Sequence, residues 1–404
     1  MRERMDFVEA RNMLLKLAEP VGVEPVLLER SAGRILAQDI AASENVPAFD
    51  RSPYDGYAFR AADTAEASSE RPAVLGITEE IPAGGVPAKR ITKGTAAKIL
   101  TGAPIPEGAD AVIMYEKTEY TDSEVRIFSP VKPGTNIIRA GEDVKAGQLL
   151  AETGTEIDAG LAGTLASQGI SHPVVFRRAH IALISTGSEL LEPGSEIQPG
   201  RIYNSNRYVI EAALEKTGCT VEYLGITGDS AESIASLIRK GLSGSDAVIL
   251  TGGVSAGDYD LTPKAMALAG AEILIRGVDM KPGMACAFGI CDGKLVLGLS
   301  GNPAAAATNL YSVVLPAVKR LCGRKECLPA EVSVTLAEDF NKKSKNTRLL
   351  RGRLDLSDGT AKMHVAQDQG NVVISSMIGC DVIAVIPSGS GALKAGTALK
   401  GFLI

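Results

Sequence analysis

SDAVILTGGVSAGDYD, residues 245–260, passes from an apolar run into a glycine-rich turn that ends on two carboxylates. Asp246 to Leu250 reads as a buried strand, and Gly252, Gly253 and Gly257 permit the positive-φ backbone and close ligand approach that side chains block. Asp258 and Asp260 then supply hard oxygen ligands suited to Mg²⁺. The turn reads as a phosphate-and-metal site; the plain alternative is a strand-to-helix turn with solvated aspartates. It fits neither GxGxxG nor GxxxxGK[ST], so it is not a Rossmann dinucleotide fingerprint or a Walker A loop.

Outward from this turn the chain alternates between strand and helix. Strands are expected at 180–185, 220–226, 246–250, 272–278 and 295–299, and helices near 206–217, 230–241, 261–269 and 304–321. Gly218 stops one helix, Asp229 with Glu232 resembles a capping box, and Pro303 falls at the first helical position. The pattern predicts a mainly parallel sheet covered on both faces. Ligands bind such sheets beyond the carboxyl ends of the strands. STGSEL (185–190), GITGDS (225–230), TGGVSAGDYD (251–260) and SGNP (300–303) all fall there. Glu189, Asp229, Asp258 and Asp260 therefore converge as an acidic group able to hold a divalent ion against a phosphate. Asp229 also fits an ordinary helix N-cap.

Bulk properties narrow the function. A chain of 404 residues is long enough for two or more domains. The net charge of −6, with no long Lys/Arg block, gives no footprint for nucleic acid. No apolar run approaches the eighteen residues of a membrane span, and the N-terminus lacks a leader pattern, so a cytoplasmic protein is expected. Six scattered cysteines read as reduced core thiols, and three histidines make a histidine-centred metal site or triad a poor fit.

The flanks differ in texture. Phe7, Ala10, Leu14 and Leu17 mark an amphipathic helix that packs against a core or partner. Short strands and Gly/Pro turns predict a β-rich insert at 46–143, and short strands again predict a C-terminal β-barrel at 328–404. A linking domain in two segments, 1–45 and 144–177, and an α/β domain at 178–327 complete the expected division.

Seven motifs in this order resemble the MoeA family of molybdopterin molybdenumtransferases, to which the E domain of gephyrin is related. They are NVPAFDRSPYDGYAFR at 45–60, TGAPIPEGADAVI at 101–113, GED at 141–143, STGSEL at 185–190, TGGVSAGDYD at 251–260, KPG at 281–283 and GNP at 301–303. The resemblance implies a multidomain α/β plus β fold of the molybdopterin-binding type and an elongated homodimer. It implies transfer of molybdate onto adenylylated molybdopterin, with Mg²⁺-dependent release of AMP. A molybdopterin adenylyltransferase and acceptor molybdoenzymes would be its partners.

By motif, the family's functional positions fall on Asp55, Thr101, Asp143, Glu189, Asp229, Asp260, Lys281, Pro303 and Arg351. Asp229, Asp258 and Asp260 would hold Mg²⁺. Lys281 would act as a mobile point charge and Arg351 as a fork toward molybdate. Backbone amides around Gly252, Gly253, Ser255 and Gly257, and around Ser300, Gly301, Asn302 and Pro303, would cradle oxyanions. Read alone, Asp55, Thr101 and Asp143 are turn-capping groups, Lys281 is a solvated turn lysine and Arg351 an exposed strand charge.

Departures from the family cluster on the basic side of the site. Its usual KxxxKPGKP becomes Gly277-Val-Asp-Met-Lys281-Pro-Gly-Met284-Ala285, so two lysines are absent. Ser300 replaces the usual proline before GNP, and Asn371 stands where a serine follows glycine. A molybdenumtransferase is the leading expectation. A cofactor carrier with lost or tungstate-directed metal insertion is the alternative, and molybdopterin adenylylation a third.

Overall fold

The computed structural model describes residues 1–255 and 261–404, and it divides into two compact units. One comprises Met1–Gln38, Thr153–Asp158 and His172–Ile404; the other comprises Asp39–Glu152 and Ala159–Ser171.

The first unit is built on seven strands: β1 (Arg2–Met5), β2 (His180–Thr186), β3 (Thr220–Thr227), β4 (Ala247–Thr251), β5 (Glu272–Val278), β6 (Ala287–Cys291) and β7 (Lys294–Leu299). Their order across the sheet is β1-β5-β6-β7-β4-β2-β3, and only β6 runs antiparallel to its neighbours. Helices α1 (Phe7–Leu17), α2 (Ser205–Lys216), α3 (Ala231–Gly244), α4 (Thr262–Leu268), α5 (Pro303–Asn309) and α6 (Leu315–Leu321) connect or cover them.

Two hydrophobic cores sit on opposite faces of this sheet. Leu183, Ile249 and Leu297 face the core shared with Phe7, Leu14 and Val318; Ala182, Val248 and Val296 face the core shared with Ile234, Ile238 and Met266. Successive residues of a strand point to opposite faces, so an uninterrupted apolar run is what a sheet buried on both sides requires. On the second face α3 comes unusually close. A Cβ at Gly241 would lie 2.9 Å from Ala182 Cβ and 3.0 Å from Val248 Cγ2.

Four of the expected helices and five of the expected strands are present, and the differences have local causes. The stretch 304–321 is not one α-helix: a π-helical turn, Leu310–Val314, separates α5 from α6. Pro316 cannot donate a backbone hydrogen bond, and the widened turn just before it accommodates that loss without ending the helix. Asp229 does not cap α3. Ser230 does, accepting the Ser233 amide at 3.3 Å, which frees the Asp229 carboxylate. The missed strand β6 pairs with β7 through a two-residue turn, Asp292-Gly293, both at positive φ. That pairing is the usual one for tight hairpins, and the Asp-Gly dipeptide signals it. The charged β1 carries no such signal; it lies at the sheet edge, parallel to β5.

The remainder of this unit is a closed barrel of β8 (Glu331–Leu336), β9 (Arg348–Asp355), β10 (Lys362–Val365), β11 (Val382–Ile386) and β12 (Ala398–Leu403), in the order β8-β10-β9-β11-β12. Val334, Leu350, Met363 and Val382 fill its interior. The second unit carries a six-stranded sheet ordered Ala111–Met114, Gly56–Phe59, Thr95–Ile99, Ala73–Ile81, Glu124–Ile127, Thr118–Tyr120. Tyr57, Phe59, Leu75 and Val125 form one of its cores. All six cysteines are free thiols, four of them buried.

Asp246 ties the sheet together at the amino ends of β2 and β4. Its carboxylate accepts two hydrogen bonds from Arg177, at 2.7 and 3.1 Å, and one from the His180 amide at 2.7 Å. Burial raises the pKa of this carboxyl, but the Arg177 and His180 donors outweigh it and hold the group below its ordinary value. The bonds therefore stabilise the fold above the unfolded pKa of about 4, and the contribution is lost as pH falls through the folded pKa. Asp246→Asn is expected to cost about 1.5–3 kcal/mol near neutrality. Urea denaturation across pH should show the gap from wild type closing below about pH 4; a constant gap would remove the carboxylate from this role.

Candidate active site

The carboxyl ends of β7, β4, β2 and β3 are neighbours, and their turns enclose a cleft of about 600 Å³. Of the expected positions, Glu189, Asp229, Gly252, Gly253, Ser255, Ser300, Gly301, Asn302 and Pro303 line it. Gly257, Asp258 and Asp260 lie outside the described residues.

The turn after β4 lies directly on the turn after β2. Gly252 has φ +105°, and a Cβ there would sit 2.4 Å from the Thr186 carbonyl oxygen. No side chain fits that position on either count. The Gly252 amide donates to the Leu299 carbonyl at 3.0 Å, and its carbonyl accepts from Thr262 Oγ1 at 2.8 Å. The turn is held on both sides, with the next residues facing the cleft.

The turns after β2 and β3 are joined as well. The Gly187 amide donates to the Thr227 carbonyl at 3.0 Å, and Ser188 Oγ donates to Asp229 Oδ2 at 2.8 Å. Asp229 and Glu189 are exposed and border the same cleft, so both carboxylates can present oxygen to a cation. Among the described residues no group of three metal-ligating side chains occurs.

The SGNP turn behaves differently from expectation. Pro303 stands at the start of α5, but it has no amide hydrogen; the Asn302 amide donates to Ser300 Oγ at 3.2 Å, and the Ala305 amide donates to the Asn371 carbonyl at 3.1 Å. Much of the donor set at this helix start is consumed inside the protein. The start of α5 therefore has fewer backbone amides to offer an anion than the motif suggests.

Two asparagines missed by the sequence reading brace the cleft. Asn206 Nδ2 donates to Thr251 Oγ1 at 2.6 Å, to the Gly301 carbonyl at 2.9 Å and to the Ser300 carbonyl at 3.4 Å. It thereby clamps the turn after β4 to the turn after β7. Asn204 caps α2 and donates to Ser185 Oγ and to Tyr223 Oη, while Tyr223 donates to Glu192. Arg207 pairs with Glu192 at 3.1 Å and stacks 3.9 Å from the Tyr223 ring. Burial, foremost, pushes the Tyr223 hydroxyl up to about 12, so it stays a neutral donor. The available signal was the YNSNRY run at 203–208, whose polar side chains open a helix.

Lys281 and Arg351 are not among the residues lining the cleft. Lys281 is exposed, and its backbone is stitched to the barrel by the Thr347 carbonyl at 2.8 Å and the Leu349 amide at 2.9 Å. Arg351 is fully buried rather than an exposed strand charge. Its donors reach Ser376 Oγ at 2.8 Å, the Gly370 carbonyl at 3.2 Å and Thr308 Oγ1 at 3.5 Å, none of them a carboxylate. Burial accordingly lowers its pKa. Since Val372 lines the cleft and Asn371 binds α5, Arg351 fixes the segment that supplies both.

Asp55, Thr101 and Asp143 belong to the second unit. Asp55 Oδ1 accepts the Thr101 amide at 2.7 Å and the Thr101 hydroxyl at 2.8 Å, which hold its carboxyl below the ordinary range. The pair links two distant motifs instead of closing a local turn. Asp143 is exposed, and its amide donates to the Val46 carbonyl at 3.0 Å.

Adjacent parallel strands ending in a glycine turn, two exposed carboxylates and a braced polar cleft are the features of an α/β enzyme domain with a small-molecule cleft. Family models for the MoeA N-terminal region (domains I and II), a probable molybdopterin binding domain and the MoeA C-terminal region (domain IV) match residues 5–169, 182–320 and 333–400. Molybdopterin molybdenumtransferases of Staphylococcus epidermidis and Staphylococcus aureus are 37% and 36% identical, covering 96% and 92% of this chain and 93% and 88% of theirs. The crystal structure of a molybdopterin biosynthesis MoeA protein from Pyrococcus horikoshii superposes with a TM-score of 0.87 at 32% identity, covering 99% of both chains. The chain belongs to the MoeA family, the molybdopterin molybdenumtransferases of molybdenum cofactor biosynthesis.

The clamp is directly testable. Asn206→Ala removes the donor to the Thr251 hydroxyl and the Gly301 carbonyl, while the Ser300 carbonyl keeps the Thr251 hydroxyl at 3.1 Å, and should lower stability by about 1–3 kcal/mol. Asn206→Asp should be worse, since a carboxylate would face two carbonyl oxygens. Urea unfolding of both variants reads this, and an aspartate variant as stable as wild type would contradict the assigned geometry.

Proposed function

We propose that this cleft binds adenylylated molybdopterin and that the protein exchanges its AMP for molybdate. The observation that carries the reading is the meeting of the Gly252–Ser255 turn with Asp229 and Glu189 in one cleft of this family's chain. The backbone turn suits phosphate oxygens, and the two carboxylates are the donor type that Mg²⁺ takes beside substrate phosphate. Asp229 has one oxygen bonded to Ser188 and is exposed, which fits a cation ligand better than a buried structural group. Bound there, Mg²⁺ would offset charge on the phosphate oxygens as AMP leaves. Asp258 and Asp260 enter this reading by motif.

On the protein side, Glu189 and Asp229 would hold Mg²⁺ beside the pyrophosphate, Asn206 keeps the two cradle turns in register, and Arg351 holds the 370–372 segment against the cleft. Lys281 supplies a mobile positive charge for the oxyanion. The reading further includes a cytoplasmic location, supply of substrate by a molybdopterin adenylyltransferase and delivery to acceptor molybdoenzymes. It includes a homodimer, which light scattering would read as twice the 42.1 kDa chain mass.

Purified protein given adenylylated molybdopterin, Mg²⁺ and molybdate should release AMP and yield cofactor that activates a cofactor-free molybdoenzyme. Binding without AMP release, with either molybdate or tungstate, would sink the reading. Asp229→Asn is expected to raise the Mg²⁺ requirement and cut turnover by about a hundredfold, with unfolding unchanged.

The absent lysines are unequal. Gly277 has φ +81°, so a lysine there is strained whatever space surrounds it. Met284 is half-buried beside Ala285, which lines the cleft. Met284→Lys should therefore lower the molybdate concentration needed for half-maximal AMP release; no shift would place position 284 away from the oxyanion.

A further inference from the structure

A second cavity, of about 290 Å³, lies where the carboxyl-terminal ends of α2 and α6 meet the end of β12, and it shares no residue with the cleft. Three cations reach it: Lys216 at the end of α2, Lys319 in the last turn of α6, and Arg324. Glu156 is the one acidic side chain among the described residues that line it, and Arg324 already pairs with that group. Apolar surface from Leu315, Pro316 and Leu403 completes the wall.

Lys319 is the informative residue. Its ammonium is drawn partly out of water, with no hydrogen-bond or ion-pair partner among the described residues. Burial first, then the nearby Arg324 and Lys216 charges, lower its pKa. Arg324 Nε is likewise buried without a partner. A lysine in a last helical turn ordinarily offsets exposed carbonyls while its head stays solvated. That role does not require a cavity shared with two further cations. A polar cation placed this way is costly unless something neutralises it.

We infer that this cavity is a binding site for a small anion carrying an apolar group, the oxyanion head taken by Lys319, Lys216 and Arg324 and the hydrocarbon lying against Leu315 and Leu403. Carboxylate and phosphate heads share the required chemistry. The dimension and lining suit a compact ligand rather than a chain segment.

Phenyl phosphate is the probe, with inorganic phosphate, benzoate and benzyl alcohol as comparators, titrated calorimetrically into the full chain. Phenyl phosphate or benzoate should bind saturably, inorganic phosphate more weakly, and benzyl alcohol not at all. Lys319→Gln should weaken that binding by at least about tenfold while leaving AMP release unchanged. Because phosphate can also enter the cleft, acetylation of Lys319, read by mass spectrometry, identifies the site. The ligand should protect Lys319 in wild type and equally in Asn206→Ala. Unchanged affinity in Lys319→Gln, absence of protection, or equal binding of benzyl alcohol would overturn the inference. Loss of protection only in Asn206→Ala would also overturn it, by assigning the ligand to the cleft.

Discussion

The sheet of the larger unit is buried on both faces, and most features of the cleft follow from that constraint. Ile181, Leu183, Val248, Ile249, Val296 and Leu297 are all taken up by packing, so the middles of the strands offer no side chain for chemistry. Polar function is confined to where the strands stop. Four neighbouring parallel strands stop together, which places their turns within reach of one another and of one ligand. The price is that these turns must be rigidified by short polar contacts, and Asn206, Ser188 and Thr262 supply them.

Much of this was legible in the residue order, for a physical reason. Apolar runs of strand length and helical periodicity report burial, and burial is what the sheet imposes; hence β2, β3, β4, β5 and β7 are readable, as is the turn chemistry at Gly252. What was unreadable depends on partners far away in sequence. The charged β1 becomes a strand only because β5 offers it an edge. Arg351 looks like a surface charge in RLLRGRL until Thr308, Gly370 and Ser376 close around it. Asn206 looks like one polar residue among several at a helix start, and its role exists only because two other turns arrive at its amide. Asp229 failed as a cap because its neighbour Ser230 was better placed.

The basic side of the site shows how backbone and charge are entangled. At position 277, where the family resemblance implies a lysine, the backbone of β5 is left-handed, so glycine there answers to chain path as well as charge. Lys281 remains, fastened through its own backbone to the start of β9. Three residues along that strand lies Arg351, whose charge has only neutral acceptors. A guanidinium so placed gives up much of its hydration for those neutral acceptors, and burial accordingly lowers its pKa.

The edge strand β1 carries one further consequence, for the order in which the protein comes together. Arg2 pairs with Ile275 and Met5 with Val278, so β1 has no strand to pair with until β5 has been made. Between them lies Asp39–Glu152, most of a unit with its own sheet and its own interior, able to settle while the larger sheet is still incomplete. Closing so long a loop costs more chain entropy than any local pairing. During synthesis β1 therefore waits for β5, and a truncation that halts before β5 leaves β1 without its partner strand.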